Sequence, residues 1–364
     1  MVLDRLKFIA ALLITFNLIN AEVLAETAAY NAQVIVSDFE KPWSIAELPD
    51  GELLLTEQGG RLWRVDGMGN KFEISGVPVV YNKSQGGLFD VLPATDFAES
   101  GALYIAYAGG GTAANRTTVV KTHLINNTLT ETTTLLEVNP DKDTAAHYGG
   151  KLAWLADGTL LVSVGDGFEY REQAQDLNSE MGKLLRINAD GTIPANNPFA
   201  DTASRVFSYG HRNPQGLVVD AATGNIFMTE HGPKGGDELN IITPGKNYGW
   251  PAITYGVDYS GALISPFTEN PGMEQPITYW VPSIATSGLA IYHGSEFAAW
   301  DGDLLIGALV DRKLYRLEMD GSTVLSQSEP FPDVQGRVRD VRVFSNGVIY
   351  AVTDEGQLYR ITRE

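Results

Sequence analysis

The chain has 364 residues, 44% of them hydrophobic, with 38 Gly, 17 Pro and no Cys. No Pro-rich or Ser-rich linker divides it, so one large Gly- and turn-rich β domain is the economical reading. With 26 Lys plus Arg against 45 Asp plus Glu, the net charge of −19 argues against nucleic acid and anionic membrane as partners and makes any arginine cluster informative.

At the N-terminus Arg5 and Lys7 precede an apolar run from Phe8 to Leu18, and Val23-Leu24-Ala25 offers the small residues that a signal peptidase reads. This pattern predicts a secretory signal over residues 1–25, with Ala21 as an alternative cleavage point, and a single domain over 26–364. The run is too short to span ~30 Å of hydrocarbon comfortably, and no later segment is apolar for long enough. The lack of Cys is compatible with an oxidising compartment. The expected location is therefore periplasmic or secreted.

Six turns ending in Gly recur along the remainder, each followed by a short β-rich run: Asp50-Gly51, Ser100-Gly101, Asp157-Gly158, Thr223-Gly224, Asp301-Gly302 and Asn346-Gly347. Asn-Gly and Asp-Gly supply the positive φ that tight turns need. In the last copy Val348 to Thr353 reads as an inner strand and Gln357 to Thr362 as its return. The copies stand 45 to 78 residues apart, too irregular for a solenoid, whereas a four-stranded propeller blade takes about 40 to 50 residues. The pattern predicts an all-β, six-bladed propeller of four-stranded antiparallel sheets, with surplus residues hung on the blades as loops. Val34 to Val36 is expected to close the ring against the C-terminal hairpin. An unclosed sandwich uses the same strands.

The segments that interrupt this rhythm are rich in Gly, His, Arg, Asn and Asp. His147, in His147-Tyr148-Gly149-Gly150, is a proton acceptor near neutral pH if a carboxylate orients it, and Asp166 stands one hairpin later. The other reading is a hydrogen-bonded turn histidine. In Gly210-His211-Arg212-Asn213-Pro214-Gln215-Gly216 the guanidinium of Arg212 either meets an anionic group or caps loop carbonyls. Arg337 and Arg339 fall on one face of a strand, which suits a polycarboxylate or phosphate, or else ion pairs with the protein's own acids. The Gly-Pro loop from His231 to Glu238 can turn carbonyls inward toward a hard cation, although its spacing matches no EF-hand. Trp280 is read either as an aromatic wall or as core.

Taken together and in this order, Gln85-Gly86-Gly87-Leu88, His147 to Gly150, Gly210 to Gly216 and Gly232 to Pro251 resemble the soluble pyrroloquinoline quinone (PQQ)-dependent sugar dehydrogenases of the glucose/sorbosone dehydrogenase family, especially its aldose sugar dehydrogenase branch. The resemblance runs from Pro42-Trp43 to Arg360. It implies PQQ and Ca²⁺ as cofactors, an aldose as substrate and an unidentified electron acceptor, in a monomer or homodimer. It implies that His147 is the general base for the anomeric hydroxyl, that Asp166 holds it, and that Arg212 and Asn213 lie beside the reacting carbonyl. Gln85 is implied as a cofactor contact and Arg337 with Arg339 as the grip on its carboxylates. The carbonyls of Gly232 and Pro233 are implied as ligands of a catalytic Ca²⁺, and Glu238, Tyr248 and Asp258 as ligands of a structural one. The chain departs from the family in three places: Val310 stands where relatives carry a lysine for the cofactor, with Arg312 and Lys313 nearby, Gly167 stands for a larger polar residue, and Thr286 for Pro. Two other classes fit the same scaffold, a non-catalytic sugar- or partner-binding propeller and a Ca²⁺-dependent lactonase.

Overall fold

A computed structural model describes residues 29–202 and 204–364; the expected signal segment lies outside them. The described chain forms six four-stranded antiparallel sheets, as the repeats predict. Blade one comprises Pro42–Glu47, Leu53–Glu57, Arg61–Val65 and Lys71–Ile74, and blade two Leu88–Pro93, Ala102–Gly110, Asn115–Ile125 and Thr128–Glu137. Blade three follows with Leu152–Trp154, Leu160–Val164, Lys183–Ile187 and Val206–Tyr209, and blade four with Pro214–Val219, Ile226–Glu230, Asp237–Ile241 and Thr278–Trp280. Blade five is Thr286–Ile291, Leu304–Ala308, Lys313–Asp320 and Thr323–Ser328. Blade six takes Val338–Val343, Ile349–Thr353 and Leu358–Arg363 from the C-terminus and its outer strand, Tyr30–Val36, from the other end of the chain. That outer strand pairs Tyr30 with Arg363 and Val34 with Tyr359, the ring closure anticipated from Val34 to Val36.

All six Gly turns join the first strand of a blade to its second. One assignment shifts as a result. The first strands of successive blades pack on one another around the axis, so the innermost strand of blade six is Val338–Val343, and Ile349–Thr353 is the second. The second strands carry the longest apolar runs, such as Leu53–Glu57, Leu160–Val164 and Leu304–Ala308, and every residue in them is buried. A strand covered on both faces has no solvent side to alternate with, so its run is continuous. Each fully buried Leu, Ile or Val adds roughly 1.5–3 kcal/mol of transfer free energy, which makes the spaces between blades the main hydrophobic core.

The channel floor is polar instead. Asp340 on blade six accepts from Lys151 Nζ at 2.8 Å and from the Ile45 amide at 3.0 Å, and forms an ion pair at 3.2 Å with Arg342 Nε, whose proton goes to the Ile45 carbonyl at 3.0 Å. Arg342 Nη2 also reaches Asp90 Oδ1 at 3.2 Å, and Asp90 Oδ2 takes the Leu152 amide at 2.9 Å. Lys151 lies 4.4 Å from the Trp43 ring centroid. This network ties the inner strands of blades one, two and six to the entry of blade three. Burial works to raise the Asp340 carboxyl, but Arg342 and Lys151 hold it below the usual carboxylate range. Asp340→Ala leaves two cations facing each other and orphans the Ile45 amide; the expected loss is about 3–5 kcal/mol of stability, read from the urea midpoint.

Candidate active site

Strand parity decides which residues meet. In a four-stranded antiparallel blade, the blade-to-blade connections and the turns between second and third strands emerge on one end of the ring, and the remaining turns on the other. The six Gly turns therefore mark the far end. Gln85, His147, Arg212 and Arg337 lie on blade-to-blade connections, while Asp166, His231 to Gly236 and Asp354 lie between second and third strands, so all of them converge on the near end.

His147 is buried, with φ of 51°. Its Nδ1 lies 2.6 Å from Asp166 Oδ1, and its amide donates to Gln85 Oε1 at 2.8 Å. Asp166 is itself fixed: Oδ1 accepts the Phe168 amide at 2.8 Å, and Oδ2 accepts the Trp250 indole N–H at 2.7 Å. A Cβ on Gly165 would collide with the His147 carbonyl, so glycine is required for blade three to approach this loop. Burial lowers the His147 pKa and outweighs the upward pull of Asp166, with Arg212 and Lys142 adding to the lowering. The ring is thus neutral and oriented by a buried carboxylate, the state required of a general base. Lys142, behind it, donates to Thr144 O at 2.7 Å and sits 3.4 Å from the Tyr148 centroid; burial pulls it down to about 7. Nothing in the sequence distinguishes this lysine from a solvated one.

Arg212 caps carbonyls, as one of its two sequence readings held. Its Nη1 donates to His231 O at 2.9 Å and to Gly232 O at 2.7 Å, and its guanidinium lies 5.3 Å from the Trp250 centroid. No carboxylate pairs with Arg212 among the described residues, so its positive charge remains available to an anionic or developing oxyanionic group. Asn213 is buried beside it and passes its carbonyl to the His231 amide at 3.1 Å.

Arg337 and Arg339 both reach Asp354, at 2.9 Å and 2.8 Å. Burial works to raise Asp354, but the two guanidiniums hold it low. With Gln85, Asn213 and His231 they line a channel cavity of about 340 Å³. Two guanidiniums share one carboxylate, so the wall keeps a surplus of positive charge.

The Gly-Pro loop is held by Asp237, which sequence reasoning passed over. Its carboxylate accepts the Gly232 amide at 2.9 Å, the Ala285 amide at 2.7 Å and the Ser283 hydroxyl at 2.7 Å. The structure places the Gly232 carbonyl against Arg212, which leaves one of its two lone pairs for another partner. Glu238 lies near Glu230, bridged by the Asn240 amide at 3.2 Å to each. Burial first and Glu230 second raise the Glu238 carboxyl, and the buried Asn240 Oδ1 has no partner. Two crowded carboxylates beside an orphaned carbonyl oxygen fit a hard cation. Tyr248 stacks on His211 at 4.8 Å and its hydroxyl donates to Ile241 O at 2.7 Å, while Asp258 bonds Ser260 and lies 3.9 Å from Arg171.

Trp280 is core, its indole donating to Gln327 Oε1 at 2.8 Å. Val310 is exposed beside Val281 and Pro282 in an apolar groove. Its charged neighbours are ion-paired: Arg312 with Glu355 at 2.7 Å and Lys313 with Glu329 at 2.5 Å.

Comparison with known proteins gives the family and the fold. The glucose/sorbosone dehydrogenase family model matches residues 39–360. The chain is 37% identical to the aldose sugar dehydrogenase YliI of Escherichia coli, over 94% of this chain and 96% of that protein. The crystal structure of the soluble aldose sugar dehydrogenase from Escherichia coli in the apo-form superposes with a TM-score of 0.88 at 36% identity, covering 92% of this chain and 100% of that one. The PQQ-bound aldose sugar dehydrogenase of Streptomyces coelicolor gives a TM-score of 0.77 at 27% identity, covering 92% and 98%.

Asp237→Ala is expected to release the loop from Gly232 to Gly236 and cost about 3 kcal/mol, since hydrogen bonds to charged groups contribute roughly 1.5–3 kcal/mol each. Faster hydrogen exchange at the Gly232 and Ala285 amides checks it.

Proposed function

The chain belongs to the glucose/sorbosone dehydrogenase family, and from that premise we propose that it is a quinoprotein that oxidises the anomeric C1 hydroxyl of aldoses to lactones. The observation that carries the reading is the buried His147–Asp166 pair beside an Arg212 that pairs with no carboxylate among the described residues. A non-catalytic propeller has no use for a neutral, oriented imidazole, and a lactonase has none for the Arg337 and Arg339 pair.

When bound, PQQ supplies the hydride acceptor and Ca²⁺ the Lewis acid that polarises it. Arg337, Arg339, Gln85 and Asn213 would hold the quinone, the two guanidiniums supplying positive charge for its carboxylates. The carbonyls of Gly232 and Pro233 would hold the catalytic Ca²⁺, and Glu238 a structural one, with Tyr248 and Asp258 implied by family resemblance alone. Asp166 keeps the proton on His147 Nδ1, so Nε2 presents its lone pair and takes the proton from the sugar hydroxyl. Arg212, fixed by two carbonyls, stabilises negative charge that develops beside it. We further propose a periplasmic or secreted location and a mature domain that begins after Ala25; no helix among the described residues is long and apolar enough to cross a membrane.

Protein loaded with PQQ and Ca²⁺ is expected to reduce an artificial dye with glucose or another aldose. His147→Ala removes at least about 10³-fold of kcat, in the range ascribed to a lost general base, while the quinone still binds. Absence of dye reduction with every aldose, in folded protein that binds the quinone, overturns the reading. Because the His147 pKa is lowered, the active neutral ring persists as pH falls, so the acid limb of kcat/KM is expected below the ordinary histidine value of 6.5. A limb at or above it contradicts the assignment.

A further inference from the structure

Phe168 holds a backbone conformation that its residue type disfavours. Its φ is 71°, directly after Gly167 at 75°, and a bulky side chain in this left-handed region is strained. Burial does not offset the strain, because the residue is 41% exposed. What holds the backbone there is Asp166, whose Oδ1 accepts the Phe168 amide at 2.8 Å and also lies 2.6 Å from His147 Nδ1. One carboxylate oxygen thus fixes both the proposed base and the ring beside it. That ring meets the His147 imidazole at right angles, with centroids 5.0 Å apart and planes at 88°.

With Glu169, Arg171, Arg212, Trp250 and Tyr259, Phe168 lines another cavity, of about 350 Å³. Tyr259 reaches it from the segment between the third and fourth strands of blade four; it is 59% exposed, and its ring lies 28° from parallel to Phe168 at a centroid distance of 6.5 Å. A sugar held between the two rings would need a contact of ~3.5–4.0 Å on each side, so the pair serves as a wall and not as a clamp. The Arg212 guanidinium lies 5.9 Å from the Tyr259 centroid, which puts the site's available cation at the same cavity. Flat apolar rings beside Glu169 and Arg171 match the two chemistries of a pyranose: C–H groups that pack on an aromatic face and hydroxyls that bond to charged side chains. We infer that Phe168 and Tyr259 form the wall on which the aldose ring rests while its C1 hydroxyl meets His147, with Phe168 as the specificity-determining residue. This rests on the quinoprotein reading above, and it gives Phe168 no part in proton or hydride transfer. Glycine at 168 would relax the backbone, so the aromatic residue there answers to the ligand and not to the fold.

Phe168→Gly separates ligand binding from folding, because one change removes the ring and relieves the left-handed backbone. The full-length variants, loaded with PQQ and Ca²⁺, are assayed with glucose and an artificial dye; PQQ titrations and melts of the apo forms run alongside. Phe168→Gly is expected to raise the KM for glucose about tenfold, the scale of one aromatic contact. Its kcat and its Kd for PQQ are expected within about threefold of the parent, and its apo Tm no lower. Phe168→Tyr keeps the flat face and is expected to hold the KM within about threefold. Parental KM in Phe168→Gly overturns the inference, as does an equal rise in KM in Phe168→Tyr. A fall in kcat at parental KM also overturns it, since the ring then serves only to brace His147. A raised KM together with a lowered apo Tm does the same, because lost packing then explains both. Absence of dye reduction by the parent with every aldose overturns the quinoprotein reading and this inference with it.

Discussion

The structure depends on a buried set of charges at the channel floor. Propeller blades meet through apolar faces, which attract without specifying angle or height, and six such faces leave room for error in how the ring closes. Asp340 removes that freedom by bonding Lys151 from blade three's entry, the Ile45 amide of blade one and Arg342 of its own strand, while Asp90 brings in blade two. Each carboxylate meets more than one partner, so no single hydrogen bond fixes the arrangement. The cost of desolvating these ions is high, and buried pairs often fail to repay it in stability. Their return here is registry: the first strands of blades one, two and six and the entry of blade three are held at heights that bring Gln85, His147 and Arg337 to a common rim.

Parity explains why that rim was partly legible in the sequence. The tight turns between first and second strands need positive φ, so they announce themselves as Asp-Gly and Asn-Gly and give the blade count. They also all fall at the end away from the site. The near-end connections have no common turn chemistry to obey, which frees them to hold His, Arg and Asn. The irregular spacing between repeats was therefore the record of function, while the regular turns recorded scaffold. The same local reasoning put the inner strand one place too late in blade six, because a turn signal shows that two strands are joined without showing which of them faces the axis.

Other features could not be read because they depend on contacts between distant segments. Trp250 donates to Asp166 across 84 residues, by way of an excursion from Ile242 to Ile277 that leaves and rejoins blade four at the far end and reaches the near end in between. Asp237 looks like any surface acid until its four hydrogen bonds to Gly232, Ser283 and Ala285 are seen. Lys142 sits between two aspartates in the sequence and Lys151 immediately before a strand, yet burial lowers both amines, the second against the pull of Asp340 and Asp90. Burial of a charge is decided by neighbours that periodicity does not name.

The charge balance of the site then follows from a protein that is acidic nearly everywhere else. Of the three arginines at the rim, two share Asp354 and the third, Arg212, is held by carbonyls and aromatic rings. A carboxylate partner for Arg212 would neutralise it and weaken its attraction for an incoming anion. Carbonyls orient it equally well and leave the charge in place, and aromatic faces shield it from water without cancelling it. The same choice recurs at His147, where burial keeps the ring neutral and Asp166 supplies direction. In both cases orientation is separated from neutralisation, so the group arrives at the cavity fixed in position and still chemically unspent.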